Sequence, residues 1–93
     1  MHNFAGEKLK ELLDKNGVSF RELALQTEKH PAIWSQVING TKRLSVDLAI
    51  RLSKTFPETG NVQMWLTMQF NSDLLNAKEQ DGPMYRNIKP FKE

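Results

Sequence analysis

Ala32, Ser35 and Gln36 are the side chains of this sequence whose types and spacing could read the edges of DNA bases. A glutamine amide can pair bidentately with adenine in the major groove, and a small apolar side chain such as alanine can meet a thymine methyl group. Close by stand groups suited to phosphates. Asn39 and the loop Thr41-Lys42-Arg43 follow where a backbone strand would pass, and Arg21 and Lys29 come from the segment before. Phosphate contacts fix position on a duplex through charge and carry no sequence information themselves. With no Arg or Lys among the base readers, guanine readout is poor. The expectation is an A·T-leaning half-site with modest affinity per copy, used twice about 34–36 Å apart on a near-palindrome.

Such side chains work only on a short helix held at a fixed angle, and the chain supplies the signals for one. Ser19 with Glu22 three residues on is a capping box, in which each side chain satisfies a backbone N–H near a helix start. That helix buries Leu23 and Ala24 and must stop before Pro31, because proline disfavours helical geometry at the residue preceding it. Pro31 itself suits the first turn of the next helix, where its missing N–H would have no partner. Trp34, Val37 and Ile38 then recur at i, i+3 and i+4, which leaves Ala32, Ser35, Gln36 and Asn39 outside. Asn39-Gly40 ends the helix by left-handed geometry.

The flanks read as a brace and a platform. Residues 1–5 are expected to fray, and Leu9, Leu12 and Leu13 make Gly6 to Asn16 an amphipathic helix that stops at Gly17. Ser45 caps a fourth helix with Asp47 in its first turn and Leu48, Ala49, Leu52 and Phe56 facing inward. After Pro57 and Gly60, the longest helix runs from Asn61 to about Lys78. It carries two apolar lines, one of Leu66, Phe70, Leu74 and Ala77 and the other of Trp65, Met68 and Leu75. A monomeric surface helix needs one line, so the surplus suggests an interface between two copies, with Trp65, Met68, Phe70, Leu74 and Leu75 as its candidates. Asp81-Gly82-Pro83 breaks the pattern and leaves a short basic tail. The expected organisation is one helix-turn-helix and dimerisation domain over residues 1–80 with a tail over 81–93.

Composition bounds the rest. Ninety-three residues make one domain, and the absence of cysteine removes disulfides and thiolate metal sites. No apolar run approaches the roughly 20 residues of a membrane span, and the start lacks a signal peptide's apolar core, so no membrane role and a cytoplasmic location are expected. A net charge of +2 decides nothing about nucleic acid. Neither histidine stands in a catalytic or metal-binding cluster, no Gly-rich phosphate loop is visible, and Glu7, Glu11 and Asp14 lie on a solvated face. No enzyme activity, cofactor or metal is expected.

The segment Ser19–Arg43 resembles the helix-turn-helix of the phage-repressor-like (XRE) family, and the flanks resemble its HigA antitoxin branch. Ala5-Gly6-Glu7 is similar to the Pro-Gly-Glu that opens that branch, and Ile38-Asn39-Gly40-x-Lys42-Arg43 to its turn after the recognition helix. Ala49-Ile50-Arg51-Leu52-Ser53 is similar to its fourth helix, and Met64-Trp65-Leu66-x-Met68-Gln69 with Asp73-Leu74 to its fifth. The likeness covers roughly residues 5–78. It implies an all-α, five-helix, lambda-repressor-like domain that represses its own operon as a homodimer on double-stranded operator DNA. It also implies a toxin partner of the HigB or RelE-like, mRNA-cleaving kind. Carried over by position, the first residues of the recognition helix fall on Pro31 and Ala32 and the mid-helix base reader on Gln36, with Ser35 and the cap residue His30 next in line for DNA contacts. Phe20 stands where many relatives have a phosphate-binding glutamine. Glu28-Lys29 stands where they have a turn glycine and a buried aliphatic residue.

Plainer readings compete with these. Trp34 and Trp65 read as core rather than as wedges or stacking platforms, His30 as a turn residue before a reader, and His2 as a terminal residue with nothing beside it. Tyr85, Ile88 and Phe91, interleaved with Arg86, Lys89 and Lys92, suit either a docking tail or a segment ordered only when bound. Two other functions fit the same fold: a stand-alone phage or mobile-element repressor, and a module that binds only protein.

Overall fold

Each helix starts where a polar side chain can satisfy backbone N–H groups that have no partner within the helix. In the computed structural model, which describes residues 1–79 and 85–91, the elements are α1 (Phe4–Asn16), α2 (Phe20–Thr27), α3 (Pro31–Asn39), α4 (Val46–Thr55) and α5 (Val62–Glu79). Their caps are Asn3, Ser19, His30 and Ser45, and the Asn61 carboxamide accepts from the Met64 N–H. The Ser19–Glu22 capping box forms in both directions. Gly17 and Gly40 end α1 and α3 at φ 63° and 83°. The all-α, five-helix architecture is the expected one. Asp81-Gly82-Pro83, Met84 and Lys92 lie outside the described residues, while Tyr85, Ile88 and Phe91 are exposed.

Two readings of the N-terminal segment need correction. Helix α1 begins at Phe4, two residues before the apolar periodicity shows it, and Ala5 is buried. His2 also has close neighbours. Its backbone N–H donates to Asn76 Oδ1 at 2.7 Å, its carbonyl accepts from Asn76 Nδ2 at 2.9 Å, and its ring meets the Glu79 carboxylate. Polar partners far away in sequence hold this segment, and hydrophobic spacing cannot reveal them.

One core joins all five helices. Leu9, Leu12 and Leu13 of α1 pack with Leu23, Trp34, Val37, Leu44, Leu48, Ala49, Leu52, Phe56 and Trp65. Helix α1 lies against α3 and α5, α2 against α3 and α4, and α4 against α5. The α1–α3 approach explains the glycine of Ala5-Gly6-Glu7, because a Cβ at position 6 would stand 2.6 Å from the Val37 carbonyl oxygen. Both tryptophans are 0% exposed. Trp65 therefore cannot be an interface residue: its ring is consumed by the core of its own chain. The inward line of α5 continues from Trp65 through two polar residues, Gln69 and Ser72, which is why its apolar pattern looked divided. Phe70 and Leu74, 62% and 41% exposed, and Leu75 remain outside, while Met68 packs against the core.

The turn between α2 and α3 holds the one described non-glycine residue with positive φ, Glu28 at φ 59° and ψ 41°. Left-handed geometry costs an L-residue about 1–2 kcal/mol, and glycine avoids this while losing about 0.5–1 kcal/mol of unfolded-chain entropy. Glu28→Gly should therefore stabilise the fold by about 0.5–1 kcal/mol. A thermal melt should show this as a rise of about 2–8 °C; an unchanged or lower midpoint would mean that Glu28 makes a compensating interaction.

Candidate nucleic-acid interface

Burying Trp34 and Val37 turns the opposite side of α3 to solvent. Ala32, Gln36 and Asn39 are exposed, and Pro31 and Ser35 are half-buried at its edges. The candidate base readers thus share one face, while the helix start is fixed by His30, whose Nδ1 accepts from the Ala32 N–H at 3.0 Å. That bond commits one ring nitrogen of His30 to capping. The other nitrogen makes no hydrogen bond among the described residues.

The carbonyl of Gln36 organises the turn beyond the helix. It accepts the backbone N–H groups of Thr41 at 3.0 Å and Lys42 at 3.2 Å, and the Thr41 hydroxyl at 3.3 Å. The candidate base reader and the candidate phosphate residues are therefore tied through one backbone oxygen. Lys42 is exposed and makes no ion pair among the described residues.

Arg43 is differently placed. Its Nε donates to Asp73 Oδ2 at 3.0 Å and its Nη2 bonds the same oxygen, yet its side chain remains 72% exposed. Asp73 in turn accepts from Gln69 Nε2 at 2.9 Å, and Gln69 Oε1 accepts the Leu44 N–H at 2.7 Å. Two residues one turn apart on α5 thereby hold the loop that leaves α3. The hydrogen bond from Arg43 is the main cause that holds the Asp73 carboxyl below the usual carboxylate range; partial burial opposes it and the Gln69 amide assists.

The candidates on the other side of the turn divide similarly. Lys29 lies 3.0 Å from Asp47, which also accepts from Arg51, and the Lys29 hydrogen bond leads the causes that lower the Asp47 pKa. Arg51 reaches on to the Thr27 carbonyl at 2.7 Å. Lys29 thus anchors the turn to α4. Arg21 is exposed and makes no described ion pair, and Phe20 beside it presents an exposed ring.

Asn3, Gln69, Asp73 and Asp47 position this face and were not among the residues singled out for it. Gln69 and Asp73 did leave a trace: a polar i, i+4 pair interrupts the apolar pattern of the longest helix. Nothing local distinguishes Asn3 from any other N-cap.

A short capped helix with a polar outer face, packed across a second helix and followed by a basic turn, defines a helix-turn-helix domain of the phage-repressor type. The chain is 33% identical over 78 residues to YddM, an uncharacterised HTH-type transcriptional regulator of Escherichia coli K12, covering 84% of this chain and 81% of that protein. It is also 33% identical over 75 residues, 81% of its length, to virulence-associated protein A' of Dichelobacter nodosus, and spans 64% of that relative. Among solved structures, the Pseudomonas aeruginosa antitoxin HigA with the higBA promoter matches with a TM-score of 0.82 at 26% identity, over 98% of this chain and 97% of that one. No protein-family model matches. The chain belongs to the XRE-type helix-turn-helix family of transcriptional regulators, and within it is HigA-like.

Because the Asp73 pKa is depressed in the fold, its contribution to stability is present above the ordinary aspartate range and is lost as pH falls through the lower folded value. Asp73→Asn should therefore flatten the loss of stability below about pH 4. Urea unfolding of both proteins between neutral and acid pH measures this, and parallel curves would show that the Arg43–Asp73 pair contributes nothing.

Proposed function

We propose that this protein is a DNA-binding antitoxin that represses its own operon as a homodimer and neutralises a RelE-like, mRNA-cleaving toxin. The observation that carries the DNA part is the exposed face of Ala32, Gln36 and Asn39, with half-buried Ser35 at its edge and Lys42 fixed to the Gln36 carbonyl beside it. Gln36 reads an adenine edge, Ala32 and Pro31 contact neighbouring bases, and Ser35 serves either a base or a sugar-phosphate oxygen. Phosphates are met by Lys42, Thr41, Asn39 and the free ring nitrogen of His30, with Arg21 on the flank. Arg43 and Lys29 contribute while still paired to Asp73 and Asp47, so each supplies less than a full charge. Residues 1–80 form the binding and pairing domain and 81–93 a tail. The match to an antitoxin solved with its promoter supports the reading.

Pairing follows from the outer line of α5. Phe70 and Leu74 lie one turn apart, with half-buried Leu66 one turn before them and Leu75 beside them. An exposed apolar line of this kind favours association with a second copy, which would set two recognition helices on successive turns of one face of the duplex. Toxin binding is the family expectation, and co-expression with a neighbouring small basic reading frame tests it: loss of that product's toxicity in the presence of this chain is the expected result.

Fluorescence anisotropy with the upstream DNA of the operon, at two salt concentrations, tests the core of the reading; no binding at low salt would end it. Gln36→Ala should cost about 1–3 kcal/mol at one base position and relax preference there. Lys42→Ala should weaken all sequences alike and lower the salt slope by about 1. Phe70→Glu should shift the protein toward monomer in sedimentation and weaken operator binding by at least about tenfold. A Phe70→Glu protein that stays dimeric would remove α5 as the pairing element.

A further inference from the structure

Of the last four carbonyls of α3, which have no partner within the helix, two are held by a residue 34 and 35 positions earlier. Asn3 Nδ2 donates to the carbonyl oxygens of both Val37 and Ile38 at 3.0 Å. The Ile38 carbonyl has particular need of it. Lys42, whose N–H would be its donor in a continuing helix, is turned to the Gln36 carbonyl. The same Asn3 side chain uses its oxygen to accept the Gly6 N–H at the start of α1. One carboxamide therefore caps the beginning of one helix and the end of another.

The residues on either side of Asn3 keep it there. Phe4 N–H donates to the buried Ser72 hydroxyl of α5 at 2.7 Å, and the backbone of His2 makes a reciprocal pair with the Asn76 carboxamide. Gly6 lets α1 approach the Val37 carbonyl closely enough for the bridge, and Asn3 Nδ2 itself would lie 2.2 Å from a Cβ at position 6. From the other side, Gln69 and Asp73 of the same helix hold Leu44 and Arg43. The exit of the recognition helix is thus gripped on both flanks from one stretch of α5, residues 69–76.

We propose that Asn3 is a positioning residue for DNA recognition: its carboxamide fixes the C-terminal end of α3, and with it the turn that presents Thr41 and Lys42, relative to α5. The inference rests on the DNA-binding reading above. It makes the geometry of the reading face depend on the pairing helix through residues 2–4, without any of these residues touching DNA.

The test separates capping of α1 from clamping of α3. Asn3→Asp keeps a capping oxygen and loses both N–H donors; Asn3→Ser keeps a capping oxygen, is neutral, and loses the carboxamide. In both, amide exchange at Thr41 and Lys42 should quicken, with a fall of a few degrees in the thermal midpoint from the lost hydrogen bonds. Affinity for operator DNA, measured well below the midpoint, should fall about threefold to tenfold, the equivalent of one net hydrogen bond, with the salt slope unchanged because no phosphate contact is removed. A loss in Asn3→Asp alone would reflect its added negative charge and overturn the proposal. So would a lowered midpoint with unchanged affinity, which marks a purely structural cap. A wild-type chain that binds no DNA would end the functional reading instead, and unchanged exchange at Thr41 and Lys42 in both variants would independently remove the clamp.

Discussion

The indole N–H of Trp34 needs an acceptor inside a dry core, and that need fixes the angle between α2 and α3. A buried donor without a partner costs about 1–3 kcal/mol, so ring positions that give it an acceptor are favoured by about that amount. Thr27 Oγ1 supplies it at 2.9 Å while donating its own proton to the Leu23 carbonyl at 2.6 Å. Arg51 then takes the Thr27 carbonyl, and Asp47 joins Arg51 to Lys29. A chain of directional bonds thus runs from the centre of the recognition helix through the last residue of α2 to the surface of α4. Apolar burial alone would let α3 slide or rotate by a fraction of a turn. These bonds do not, and the side facing away from Trp34 is consequently a defined face.

The contrast with Trp65 is informative. Its ring is as completely buried, yet its Nε1 has no hydrogen-bond partner among the described residues. It contributes by filling volume, and the direction of α5 is set by the polar residues that follow it: Gln69, Ser72, Asp73 and Asn76. Each bonds a segment distant in sequence, two of them at the loop after α3 and two at residues 2–4. A helix whose inner side is partly polar is less strongly driven into the core by apolar burial, and more narrowly specified in register, because a shift of one residue would strand several buried groups.

The features legible in the sequence are those whose cause is local. Ser19 and Glu22, Pro31, Asn39-Gly40 and Ser45 fix helix ends within four residues of themselves, and the structure has those helices where these residues put them. Trp34 and Val37 told which side of α3 is buried, and so which side holds Gln36. The hidden part is cross-chain polar bonding. Nothing near Asn3 announces Val37, and nothing near Arg43 announces Asp73, so the start of α1 and the partnered state of Arg43 and Lys29 were out of reach. Trp65 read correctly as core, and its second place among the interface candidates fails for the converse reason: periodicity lists the apolar residues of a helix without saying which line a neighbour covers, and α5 covers its partly polar line.

The positive charge beside the reading face is smaller than the residue count suggests. Of Arg21, Lys29, Lys42 and Arg43, two are already paired with carboxylates on α4 and α5. Each such pair holds its cation in a defined place, which lowers the ordering cost of meeting a phosphate, yet it also leaves less net charge to release counterions. Rigid placement has been favoured over field strength. In the proposed dimer, discrimination would then rest on geometry: on whether two such faces, fixed to their α5 helices by Asn3 on one flank and Asp73 on the other, match the spacing of two half-sites at once. The exposed line of Phe70 and Leu74 lies on the same helix as those anchors, so a second copy docked on that line, as proposed, would orient the reading face as well.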